Sequence, residues 1–328
     1  MITRRDLLTV IGAGALAYPL ASLAQQSGKV WRIGQLWEGD PANYANLFIG
    51  FNAGMRELGY MEGRDYVFEQ RSAHGEFARL PALAAELVAL KVDLMFPSGT
   101  PAALAARNAT RDIPILIVTV GDPVGAGLAA TLARPGGNVT GLTGMTSDLF
   151  TKRLDLLRQL LPGMRRVALL YDPDNASDTL TLKQFESDCA KIGMKSVRAP
   201  MRKADEVAAA FDTLKRDQVQ GLIVTSSSRM RTARERIIEL AARHRLPAIY
   251  AATLFAEAGG LMTYSANGID LNRRAATYAV KIFKGAKPGD LPIEQPTKFD
   301  LVLNVKVAKA LGIQFPPNIM VLGNKVIE

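Results

Sequence analysis

The chain has 328 residues, 48% of them hydrophobic and 22% charged, with a formal net charge of +9. A chain of this length tends to split its core into two lobes. Its basic residues alternate with acids and no nucleic-acid motif accompanies them, so nucleic acid is not an expected partner. The body of the chain has no uninterrupted apolar stretch of about 20 residues, which excludes an internal membrane span.

In chain order, the first informative segment is the N-terminus. Paired Arg4 and Arg5 precede an apolar, Ala- and Gly-rich run from Leu7 to Leu20, and Ser22-Leu23-Ala24 puts small residues where a signal peptidase cuts. Residues 1–24 read as a signal peptide of the twin-arginine kind, cleaved near Ala24, which implies a periplasmic destination.

Strands and helices then alternate. Apolar runs at 30–36, 66–71, 92–96 and 113–120 read as strands, separated by helical patterns at 44–58, 77–88 and 101–110. Continuous apolar runs suit a parallel sheet covered on both faces. Arg134-Pro135-Gly136-Gly137-Asn138 is a strong turn, and the glycine-interrupted segment 139–144 reads as a first passage between lobes. The rhythm restarts with a helix closed by Pro162-Gly163. Strands follow at 166–171, 195–198, 221–225, 247–250 and 260–264, with helices at 176–192, 205–216 and 230–244 among them. A long helix at 268–284, three prolines (Pro288, Pro292, Pro296), a strand at 300–304 and a short helix complete the chain.

This pattern predicts an α/β protein of two doubly wound, Rossmann-like lobes joined by a hinge. Lobe 1 is expected at 29–145 plus 266–296, and lobe 2 at 146–265 plus 297–328.

One cysteine, Cys189, and two histidines, His74 and His244, exclude an intramolecular disulfide and make a zinc site unpromising. There is no Gly-x-Ser-x-Gly elbow, no Walker loop and no Gly-x-Gly-x-x-Gly after the first strand. No enzyme activity, metal or cofactor is therefore expected. The basic cluster Arg229 to Arg236 reads as a solvated helix face.

In doubly wound sheets, ligands sit outside the carboxyl ends of the strands, at helix starts. That rule selects Ser98, Gly99 and Thr100 after the third strand as a carboxylate site, unless Thr100 only caps its helix. Asp122 after the fourth strand either pairs with a ligand ammonium or shapes an Asp-Pro turn. Trp37 stacks on a flat ligand or closes the edge of the core, and Tyr44 is a weaker candidate of the same kind. Thr143 lies on the first crossing. From the second lobe come Asn175, as cap or contact, the hydroxyls of Ser226 and Ser227, and Tyr250 and Tyr264 at strand ends.

Several segments carry a family resemblance. They are Gly121-Asp122-Pro123-Val124, the run from Arg134 to Gly141, Gly259-Gly260-Leu261-Met262, the run from Leu291 to Asn304, and Lys309-Ala310-Leu311-Gly312-Ile313 with its continuation to Glu328. With these, the chain resembles along its whole length the ABC-transporter substrate-binding family that includes tryptophan- and tyrosine-binding proteins. The resemblance implies a type I periplasmic-binding-protein fold, binding without chemistry, and a membrane permease with its ATPase as partner. The expected ligand is a small molecule, first of all an amino acid, with the aromatic ones among the candidates. A monomer is expected. A periplasmic sensor for a membrane receptor and an exported α/β enzyme are the alternatives.

Overall fold

The computed structural model describes residues 29–144 and 146–328, with the side chains of 146–148 left aside. The expected signal peptide lies outside the described residues.

Two sheets carry the fold. The first contains β1 (Trp31–Trp37), β2 (Tyr66–Ser72), β3 (Leu94–Ser98), β4 (Ile115–Val120) and β5 (Val139–Thr143), in the order β2-β1-β3-β4-β5. All its pairings are parallel. The second contains β6 (Arg166–Tyr171), β7 (Lys195–Pro200), β8 (Gly221–Val224), β9 (Ala248–Tyr250), β10 (Met262–Ala266), β11 (Phe299–Asn304) and β12 (Lys325–Ile327). Its order is β12-β11-β10-β9-β8-β6-β7, parallel except where β10 meets β11. Each sheet switches direction beside its first strand, and such a switch opens a crevice at the strands' carboxyl ends.

The apolar strands are explained by burial on both faces. Successive side chains of a strand point to opposite sides. Leu94, Phe96, Leu116 and Val118 enter one cluster of the first sheet, while Met95, Ile115 and Ile117 enter another. In the second sheet Val167, Leu169 and Ile223 face one cluster and Ala168, Leu170 and Leu222 the other. Helices cover each face, as the type I periplasmic-binding-protein fold requires.

The chain passes between the lobes three times: after β5, after β10 by way of the helix Gly268–Phe283, and before β11. The end of β5 and the third passage run side by side, so the segment 139–144 expected as a passage is the last strand of the first sheet. Thr143 N donates to Glu294 O and Glu294 N to Gly141 O, both at 2.9 Å. The Glu294 carboxylate accepts from Tyr278 Oη at 2.8 Å and pairs with Arg274, which binds the third passage to the helix Gly268–Phe283.

That helix, α10 in chain order, packs on α1 (Ala45–Glu57) and so completes the first lobe. The approach is close because α1 presents glycine. A Cβ on Gly54 would collide with the carbonyl of Arg273, and one on Gly50 with the carbonyl of Ile269. Backbone atoms of a helix cannot step aside, so Gly54→Ala is expected to destabilise the protein by about 2–4 kcal/mol. A chemical-denaturation curve measures this. An unchanged midpoint would mean that the two helices separate freely.

Two sequence expectations shift. The helix expected at 230–244 is two helices, α7 (Ser228–Thr232) and α8 (Arg234–Arg243), broken at Ala233. A further short helix, α9 (Thr253–Glu257), follows β9 where none is foreseen. Five residues are too few to show helical periodicity.

Candidate ligand-binding cleft

The carboxyl ends of both sheets face each other across a cleft with three hollows, all bordered by Thr119. Thr119 lies in β4 at φ +64°, where the pairing with β5 breaks register. A β-branched residue held in the left-handed region is strained, and such strain gathers at functional sites.

The first hollow is acidic, of about 50 Å³. Glu38, the residue after β1, is 2% exposed. Its Oε1 accepts from the Ser228 amide of the opposite lobe at 3.2 Å and from Tyr44 Oη at 3.4 Å. Its Oε2 is buried without a partner among the described residues. Burial pushes its carboxyl up to about 8; the charges of Asp178 and Asp172 add to this, and the Ser228 N–H opposes it. Gly99, at φ +85°, passes so close that a Cβ there would land on this carboxylate. Asp178, in the first turn of the helix Ala176–Lys191, is pushed up to about 7, again first by burial. Its Oδ2 accepts from Thr225 Oγ1 at 2.6 Å and from the Asp172 amide at 2.9 Å.

The second hollow is the roomy one, about 460 Å³. Arg153, Arg231 and Arg234 reach it. Burial holds the Arg231 guanidinium below its usual range, against the pull of Tyr44 and Glu38. It lies 5.1 Å from the Tyr44 ring centroid and borders the acidic hollow too. Burial brings Arg153 down to about 10, and its Nε donates to Tyr264 O at 2.7 Å.

The third hollow, of about 20 Å³, lies among aromatic rings. Trp37 packs on Tyr44 and Phe48 with centroids at 5.4 and 5.6 Å.

The residues selected from sequence divide by placement. Gly99, Thr100, Asn175, Ser226 and Ser227 border the acidic hollow, and Trp37 and Ser98 the aromatic one. The hydroxyls of Ser98 and Ser227 are buried without a partner among the described residues. Asn175 does both things foreseen for it, since its side chain also caps the helix by accepting from the Ser177 amide at 3.0 Å. Thr100 is not a cap; Gly99 holds that position.

The others are placed elsewhere. Asp122 Oδ1 accepts from the Gly125 amide at 2.8 Å, which is the turn role. Thr143 Oγ1 donates toward Val120 O and Gly121 O at 2.9 Å, at the end of β5. Tyr250 is a core ring, 1% exposed and stacked 4.9 Å from Phe255. Tyr264 gives its carbonyl to Arg153 and its ring to Phe299.

The arginine cluster corrects the sequence reading of a solvated face. Arg231 enters the cleft, and Arg229 spans it. The Arg229 guanidinium lies 4.2 Å from the Phe77 ring centroid, and Nε approaches Gly75 O at 3.4 Å. From the other side, Asp172 and Asp174 accept from its Nη1 at 2.8 and 2.7 Å. Sequence reasoning passes over Glu38, although the carboxyl-end rule that selects Ser98 applies to it equally. Arg153, Thr119 and Asp178 carry no such signal.

Two α/β lobes whose sheets point their carboxyl ends into one polar cleft form the frame of a type I periplasmic binding protein. The chain belongs to the ABC transporter substrate binding protein family, whose model matches residues 35–327. It is 25% identical over 330 residues to a tyrosine-binding protein of Clostridioides difficile strain R20291, covering 96% of this chain and 94% of that protein. A solved domain from Streptococcus pneumonia in complex with L-Trp superposes with a TM-score of 0.85 at 25% identity, over 91% of this chain and all of that one. The ligand-free, open structure of a substrate binding protein with adhesive properties from Clostridium difficile gives 0.67 at 27% identity, over 91% and 99%. These relatives are substrate-binding proteins rather than enzymes, and proteins of this family are typically extracellular or periplasmic. No described helix is long and apolar enough to cross a membrane.

Proposed function

We propose that this protein is the exported, periplasmic solute receptor of an ABC importer, and that it captures an amino acid by closing its lobes. The moving bodies are 29–145 with 266–296, and 146–265 with 297–328. One observation carries the ligand class: two buried carboxyls, Glu38 and Asp178, stand beside one half-buried arginine, Arg231, at the meeting of the lobes. An α-ammonium on the carboxylates and an α-carboxylate on Arg231, with the hydroxyls of Ser98 and Ser227 nearby, would satisfy groups that are costly to bury alone. The amino-acid ligands of the two relatives support the same class. A ligand touching both lobes shifts the population toward the closed form, which a permease with its ATPase then recognises.

Thermal melting of the purified protein against the amino acids tests this. A true ligand at 100 times its Kd should add about 2.7 kcal/mol of stability. Silence across all amino acids would remove the ligand class, and a ligand recovered chemically altered would replace the receptor with an enzyme.

A further inference from the structure

We infer that Thr119 is a ligand-contacting residue of the cleft, turned out of its strand so that its hydroxyl meets the bound amino acid. This rests on the amino-acid reading above and goes one step past it, to a residue that sets affinity.

The strand itself shows the displacement. Along β4, alternation would set Thr119 on the face of Ile115 and Ile117, and Val120 on the face of Leu116 and Val118. Instead Val120 joins the cluster of Ile115 and Ile117, while Leu116 and Val118 lie in the other. Thr119 is the residue skipped. The pairing with β5 agrees. Ile117 stands opposite Gly141 and Val120 opposite Thr143, so Val118 and Thr119 together face Leu142 alone. Two residues against one make a β-bulge, which is rare between parallel strands and re-aims a side chain.

The neighbouring strand is shaped to accept this bulge. Gly141, at φ +134°, runs so close that a Cβ on it would strike the Ile117 carbonyl. A Cβ on Gly144 would come within 3.1 Å of the Thr119 carbonyl oxygen. Thr119 itself carries a branched side chain at φ +64°. Glycine would make the same bend with less strain, so the bend alone does not account for threonine.

The displaced residue is half-buried and borders the acidic, the roomy and the aromatic hollows alike. A ligand that reaches from the acidic hollow into the roomy one passes it. A hydroxyl at that point can donate to a carboxylate or accept from an ammonium.

Titration calorimetry with the standard L-amino acids as probes, and melting curves without ligand, decide the matter on the whole purified protein and three variants. Thr119→Val keeps the branched shape and loses the hydroxyl. It should weaken every amino acid that the unaltered protein binds by about tenfold, the worth of one hydrogen bond to a charged group. Thr119→Ser should recover most of that loss. Thr119→Gly should bind as weakly as Thr119→Val, yet melt at or above the temperature of the unaltered protein, because the strain is gone. Unchanged affinity in Thr119→Val, or melting of Thr119→Gly well below the unaltered protein, overturns this inference and leaves the amino-acid reading standing. Binding of no amino acid by the unaltered protein overturns both.

Discussion

Glu38→Gln is expected to weaken amino-acid binding by about a hundredfold and to abolish most of its pH dependence. The magnitude follows from removing one charge of a buried ion pair, which costs about 2–5 kcal/mol. The pH effect follows from burial. With the lobes together as here, burial raises the carboxyl to about 8, against an ordinary 4.5. An ammonium needs the carboxylate, so affinity should rise as the pH climbs from 6 to 8 and level off above. Stability of the empty protein runs the opposite way. Between pH 4.5 and 8 the folded form binds more protons than the unfolded chain. The stabilisation tied to the raised value is complete below 4.5 and is lost as the pH rises through 8. The Glu38→Gln variant removes Glu38's share of both trends and leaves that of Asp178. Titration calorimetry and melting curves between pH 6 and 9 read them, and a wild-type affinity flat across that range would refute the role of Glu38. Ser228, Asp178, Asp172 and Arg231 all influence this carboxyl, so the same series on Asp178→Asn separates the two acids.

Arg229→Met should destabilise the protein by about 3 kcal/mol near neutral pH, because it strands a buried partner. Asp172 is fully buried, and Arg229 is 15% exposed at its side chain. Methionine keeps the bulk against Phe77 but deletes the charge. Burial already raises the Asp172 carboxyl, and Arg229 opposes that rise. Without the arginine the carboxyl should take up a proton more readily, so the deficit should shrink in acid. Adding Asp172→Asn should return part of the loss, since the amide needs no counter-charge. Denaturant unfolding of both single variants and the double variant forms the cycle. Strict additivity would show that the pair is not coupled. Because Arg229 also reaches Phe77 and Gly75 across the cleft, the single variant should favour the open arrangement, visible as a larger radius in small-angle scattering.

The lobes were legible in the sequence because burial on both faces leaves its mark residue by residue. Ile115 to Val118 is apolar throughout, and the structure divides its side chains between two clusters. The hydroxyl-rich loops after β3 and β8 were legible for a similar reason: a helix start needs donors and acceptors wherever it occurs. What stayed hidden depends on partners distant in sequence. Glu38 is one carboxylate among many until Ser228 of the other lobe closes on it. Arg229 and Arg231 follow the spacing of an exposed helix, and only the facing lobe turns that surface inward. Asp122 and Tyr250 illustrate the converse. Their positions at strand ends obey the loop rule, yet local turn geometry holds one and core packing the other.

The pairing of α1 with α10 also bears on how the chain acquires its shape. Arg273 meets Glu57 at a separation of 216 residues. At about 5–20 residues per second, synthesis needs ten seconds or more to bridge that distance. During this interval one face of the first sheet, with Ile33, Phe51 and Leu116, lacks its cover from Leu271 and Ala275. The second lobe's strands β6 to β10 are complete in sequence before the first lobe can close. The second lobe waits longer still for β11 and β12, so neither lobe is complete until late, and a chaperone that shields nascent apolar surface would find a target on the open face of the first sheet.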